Sequence, residues 1–336
     1  MQPLLDPAIL FFIFGVVAAT LKSNLEIPPA ISRFLSLYLL MALGLKGGFA
    51  LSKSGFTQEV AASLGVAITL AISIPLFGYV ILKKMLTSFD AAAVAATYGS
   101  VSAVTFVTAV QYLDTHSINY GGYMAAAMAL MESPAIILAV ILANNARHKK
   151  MTLPQNSLPA NNTTADHRPM AQSVSFKKIL HESVTDGAQL LLLGAMVIGL
   201  ISGETGKAAM QPFSGDLFKG MLAFFLLDMG LMTARSLHQL KGLSFSLMLY
   251  AVCAPIFHAS LALALGLMVN AAIGDVILLM VLAASASYIA VPAVLRTAIP
   301  EAKPSLYFGM SLGITFPLNI LIGIPIYSYV AHQFIY

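Results

Sequence analysis

The sequence predicts an all-α membrane protein of ten transmembrane helices. They form two inverted five-helix repeats, with discontinuous fourth and ninth helices that cross. Three observations carry that prediction: the length of the apolar runs, the lopsided placement of basic residues, and residues that recur about 185 positions apart.

Of the 336 residues, 58% are hydrophobic and 10% are charged, against about a quarter charged in a soluble domain. The apolar residues fall into runs of roughly 18–25, the length a helix needs to cross about 30 Å of hydrocarbon. The spans read as 8–22, 27–51, 61–82, 90–113, 119–145, 183–202, 218–236, 245–269, 275–299 and 305–332. The first has no basic residue before it and no small-residue cleavage site after it, so it reads as a retained helix rather than a signal peptide. Cys253 is the single cysteine, which rules out an intrachain disulfide. The net charge of +4 comes from loop Lys and Arg and gives no reason to expect nucleic acid.

With the N-terminus outside, the inner side takes Lys22, Arg33, Lys83, Lys84, the basic residues between Arg147 and Lys178, Arg235, Lys241, Arg296 and Lys303. Only Lys46, Lys53, Lys207 and Lys219 of the 18 basic residues fall outside. The positive-inside rule then puts both termini on the exterior and the central loop in the cytoplasm.

That loop is the one long polar break. Its "LPQNSLPANNTTADHRP" reads as a linker. The expected organisation is a first repeat over 1–145, a linker over 146–182 and a second repeat over 183–336. Five spans per half turn the second half upside down. The halves also match in detail. Gly44 falls over Gly230, Asp90 over Asp275, Ser100-Val101-Ser102 over Ser285-Ala286-Ser287, Pro134 over Pro317 and Pro75 over Pro255. Inverted repeats are a transporter architecture, with the substrate site near the midplane between interrupted helices.

The Gly-Ser cluster of "ATYGSVSAVTFVT" and the Ser-x-Ser at 285–287 lie about halfway along spans four and nine. We expect both helices to break there and the breaks to meet. A break in hydrocarbon frees backbone N–H groups, and the half-helix after it aims its positive dipole end at the gap. An anion can accept from those groups and from serine hydroxyls, and the carbonyls ending the first half-helix suit Na⁺. The simpler alternative is serines bonding back to their own helix.

Other polar residues fall inside spans. Glu132, just before Pro134, reads either as a cation ligand or proton site or as a carboxylate paired with a neighbouring helix. Asp228 reads rather as a structural hydrogen-bonding group, and Thr315 and Asn319 flank Pro317. His258 reads as a satisfied interior histidine. There is no P-loop, H-E-x-x-H, C-x-x-C or G-x-S-x-G, so an enzyme is not expected.

The stretches "LYLLMALGLKGGFAL", "YGSVSAVTFVTA", "LMESPAIILAVILAN", "FLLDMGLMTAR" and "LAASASYIAVPAVLRTAIPEAKPSLYFGMSLGITFPLNILIGIPIY" resemble the sodium-dependent bicarbonate transporter family over nearly the whole chain outside the central loop. The resemblance implies a gate and a core domain, a homotrimer in the bacterial plasma membrane, and Na⁺ carried with bicarbonate, with no other cofactor. It implies an anion cradle at Gly99, Ser100, Val101, Ser102, Ser285, Ala286 and Ser287. It also implies sodium oxygens from Ser102, Thr105, Glu132, Ser287, Thr315 and Asn319. Where cyanobacterial members have Ser-Asp, this chain has Ser287-Tyr288, and where they have Asp-Ile-Pro it has Glu132-Ser133-Pro134. Their PII-like cytoplasmic regulator is not assumed here, because the linker is short. The resemblance implies a Na⁺-coupled importer of bicarbonate. The alternatives are symport of another small anion such as a monocarboxylate, or a cation/proton antiporter using Glu132 and Asp228, with a membrane scaffold or sensor after them.

Overall fold

In the computed structural model, residues 6–152, 186–240 and 242–335 are described, and among them all regular structure is helical. Proline and short polar caps start the helices. α1 (Pro7–Thr20) begins where the Asp6 carboxylate accepts from the Ala8 amide at 2.8 Å. α2 (Pro29–Ser54) has Pro at its first position and ends on Gly55, whose φ of 70° ends the helix in the left-handed region. α3 (Gln58–Leu82) is capped by Thr57 and carries Pro75 in its interior.

α4 (Ser88–Gly99) and α5 (Ala103–Thr115) divide the fourth expected span. α6 (Met124–Thr152) starts later than expected and stays helical beyond residue 145, into the stretch expected as linker; the rest of the linker lies outside the described residues. α7 (Gly187–Met210), a wide turn (Gln211–Asp216) and α8 (Phe218–Ser236) follow. No polar loop separates the sixth and seventh expected spans. The chain is helical throughout Gly187–Ser236, bending at Gly203, whose φ is 54°. α9 (Phe245–Met268) contains Pro255. α10 (Ile273–Ala284) and α11 (Ala290–Ala298) divide the ninth expected span. α12 (Pro304–Ile335) passes through two wide turns, Ser311–Thr315 and Asn319–Gly323, on either side of Pro317. Proline cannot supply the helical N–H, and the wider turns absorb that defect.

Seven helical stretches among the described residues are long and apolar enough to cross a membrane; α1 and α10 are shorter. Several carry outward-facing apolar side chains, such as Phe77 and Ile201 at 58% and 80% exposure, as lipid contact requires.

Two groups of helices pack closely. In one, α1 lies on α8 and α2 on α7. Their backbones touch through glycines: a Cβ on Gly15 would stand 2.3 Å from the Leu227 carbonyl, and one on Gly48 would stand 2.1 Å from that of Met196. In the other, α3 packs on α4 and α6, and α9 on α10. Asp90, at the start of α4, accepts from the Lys303 amide at 2.8 Å. Asp275, at the start of α10, accepts from the Gly121 amide at 2.6 Å and also from Tyr123. Each aspartate therefore ties down a loop of the opposite half.

Candidate functional site

The chain leaves the helix after Gly99. Ser100 is extended (φ −95°, ψ −179°), and Ser102 caps α5 (φ −101°, ψ 111°), its Oγ accepting from the Thr105 amide at 3.2 Å. The Thr105 hydroxyl adds a bond to the same oxygen at 3.0 Å. In the other half, α10 ends at Ala284 and α11 begins at Ala290; Ser285 is extended (φ −77°, ψ 163°). Ser287 Oγ accepts from the Val291 amide at 3.3 Å.

The two breaks meet. The Ser287 amide donates to the Thr97 carbonyl at 2.8 Å, and the Ser102 amide donates to Ser285 Oγ at 2.9 Å. Ser285 Oγ also donates to the Leu282 carbonyl at 2.8 Å. Each interrupted helix thus supplies partners that the other lost at its break. Asn319 Nδ2 donates to the Ala284 carbonyl at 2.8 Å, and its Oδ1 accepts from Tyr327 at 3.0 Å. That bond anchors the end of α10 from the kinked part of α12.

A cavity of ≈ 70 Å³ opens beside this crossing, room for a few waters or one small ion. Val101, Ser102, Ala103 and Val104 line one side, and Ser287, Tyr288, Ile289 and Ala290 line another. The amides of Ala103, Val104 and Ala290 fall in the first turns of α5 and α11, where a helix offers no carbonyl. Two positive dipole ends therefore converge on one small space.

The structure brings Val101, Ser102, Ser287 and Glu132 to this cavity. Gly99, Ser100, Ser285, Ala286, Thr105, Thr315 and Asn319 do not line it. Gly99 is pressed against α3: a Cβ there would stand 2.6 Å from two ring atoms of Pro75. Its lack of a side chain serves that packing against Pro75. Ser100 Oγ is 1% exposed and has no hydrogen-bond partner. Thr315 faces away from the cavity, its hydroxyl 2.6 Å from the Tyr98 hydroxyl and donating to the Ala251 carbonyl at 2.9 Å. Asp228 accepts from Ser32 on α2 and lies outside the cavity. His258 is buried, as an interior histidine should be; its ring has a backbone hydrogen bond at Ala283, and only Nδ1 has no partner.

Glu132 accepts from Gln189 Nε2 at 2.6 Å. Gln189, with Ser36, Leu40 and Leu192, completes the cavity from α2 and α7. Sequence reading missed these residues, because a lone glutamine in the first turn of an apolar helix carries no local signal. Tyr288 fills the space beside the second break, its ring 5.1 Å from that of Phe316 and its hydroxyl 3.4 Å from Met229 Sδ on α8.

A family model described as the Na⁺-dependent bicarbonate transporter superfamily matches residues 7–332. No curated protein matches the chain.

Proposed function

The chain belongs to the Na⁺-dependent bicarbonate transporter superfamily, and from that premise we propose that it is a secondary-active symporter importing bicarbonate with Na⁺. It is a multi-pass membrane protein and not an enzyme. The observation that carries the symport reading is the cavity at the crossing, where the first turns of α5 and α11 converge. A small anion there accepts from the amides of Ala103, Val104 and Ala290 and from the hydroxyls of Ser102 and Ser287. Sodium takes oxygens: the Glu132 carboxylate, hydroxyls of Ser102, Thr105 and Ser287, and the unpartnered Ser100 hydroxyl. Each ion offsets the other's charge where water is scarce, so each favours the other's binding.

The same reading takes the chain as two inverted repeats on either side of the central linker, with both termini outside the plasma membrane. The reciprocal bonds of Asp90 and Asp275 support it, since one contact recurs with the halves exchanged. α1, α2, α7 and α8 then form one body and the remaining helices the body that holds the breaks.

Labelled bicarbonate uptake into proteoliposomes tests this. We expect uptake driven by an inward Na⁺ gradient, and Na⁺ uptake that stops without the anion. Cation flux driven by a proton gradient with no anion present would overturn symport in favour of antiport. Na⁺ uptake stimulated by short monocarboxylates but not by bicarbonate would move the substrate.

A further inference from the structure

The basic residues that break the side-to-side asymmetry are Lys46, Lys53, Lys207 and Lys219. They come from α2, α7 and α8, far apart in the chain, yet all four line one cavity of ≈ 860 Å³. Topology disfavours basic residues on the outer face, so the convergence of all four there points to a role.

This vestibule lies about one helical turn from the central cavity. α2 gives Leu40 to the central cavity and Leu43 to the vestibule, α5 gives Ala103 and Phe106, and α6 gives Met128 and Met124. Residues three or four apart on a helix are about 5 Å apart along its axis. Leu43, Phe106 and Met124 are 3%, 1% and 0% exposed. The two spaces are thus stacked on the same three helices, with a thin apolar partition between them.

The four lysines differ in their partners. Lys46 stands 3.3 Å from Asp114 and lies over the Phe218 ring at 4.2 Å. Lys207 stands 3.9 Å from Glu204. Lys53 and Lys219 have no ion pair among the described residues. The remaining vestibule carboxylate, Asp216, accepts from Gln211 at 3.1 Å. Lys53 and Lys219 against Asp216 leave the vestibule net positive.

We propose that this vestibule captures small inorganic anions on their way to the central cavity, with Lys53 and Lys219 supplying the uncompensated charge. The proposal rests on the anion-import reading above and on the vestibule facing outward. A low-dielectric cleft with a net excess of one sign raises the local concentration of the opposite ion, and the thin partition gives a captured anion a short path when the two helix bodies rearrange.

The test uses the full chain in proteoliposomes at saturating Na⁺ and low ionic strength. In Lys53→Gln/Lys219→Gln, the half-saturating bicarbonate concentration is expected to rise about two- to fivefold, the size of two screened charges acting across some 10 Å of water. The maximal rate stays unchanged, and the difference fades as choline gluconate is added. Lys53→Arg/Lys219→Arg keeps the wild-type value. A half-saturation value indifferent to these lysines at low salt overturns the proposal, while active wild-type protein leaves the import reading standing. A second measurement needs no transport. Asn119, exposed in the vestibule, is changed to Cys in a Cys253→Ala background. Relative to its rate with a small free thiol, a sulfonate-bearing reagent should then gain over a trimethylammonium one, and Lys53→Gln/Lys219→Gln should erase that gain. No gain with the lysines present would sink the vestibule as an anion funnel even if bicarbonate proves not to be the substrate.

Discussion

At the first break the chain is out of helix for three residues, 100–102, whereas at the second it stays out for five, 285–289. Ser100 and Ser285 hold matching positions in the two repeats of sequence. Ser285 Oγ both donates to Leu282 and accepts from Ser102, whereas Ser100 Oγ is buried with no partner. Ser102 and Ser287 each cap the half-helix that follows, but across different spans, to Thr105 and to Val291. Gly99 matches Ala284, and the glycine is pressed on the Pro75 ring. The second break therefore holds the crossing together, and the first leaves one buried hydroxyl without a partner.

Five substitutions sharpen or break that contrast, taken from the largest expected effect. Gly99→Val drives a branched side chain into Pro75 and should destabilise the fold by about 3 kcal/mol, seen as loss of monodisperse protein in detergent. Ala284→Val, at the matching position, should be milder. Equal tolerance at both would remove the packing difference between the breaks.

Ser285→Ala comes next. It leaves the Ser102 amide buried without an acceptor, at a cost of about 1–3 kcal/mol. Thermal melting in detergent should drop, and an unchanged melting temperature would mean that the crossing does not depend on this bond. Ser102→Ala loses the cap of α5, worth about 1 kcal/mol, and a hydroxyl facing the cavity. It should therefore lower stability modestly and raise the half-saturating bicarbonate concentration as well; normal anion dependence would take Ser102 out of the anion site.

Ser100→Ala should be the mildest for the fold, within about 0.5 kcal/mol of wild type, because no hydrogen bond is lost. Its effect should appear only in transport, as a higher half-saturating Na⁺ concentration with bicarbonate dependence unchanged. A variant normal in both would show that the spare oxygen serves no ion.

Much of this fold is legible in the sequence. The residues expected to interrupt spans four and nine do so, because a Gly-Ser-x-Ser run offers hydroxyls that substitute for lost helical bonds. The prolines of α3, α6, α9 and α12 sit inside helices as their spans required. Other features were not legible. The unbroken path from Gly187 to Ser236 replaces an expected loop because "SGETGK" and "QPFSGD" read as polar breaks, although helical and wide turns accommodate them. Glu132 was recognisable as exceptional, but its partner Gln189 lies 57 residues away on another helix. Local spacing does not reach across that distance.

Composition and periodicity by themselves determined the class of protein and the places where helices fail. They do so because hydrocarbon penalises every unpaired backbone group and every charge in a way that depends on local chain chemistry alone. Only the tertiary structure decided which serine oxygen is satisfied and which is spare, that Gly99 meets Pro75, and that four scattered lysines share one vestibule. Those outcomes depend on distances between helices remote in sequence, and such distances are fixed by how backbones pack, glycine against carbonyl, as α1 does on α8 and α2 on α7.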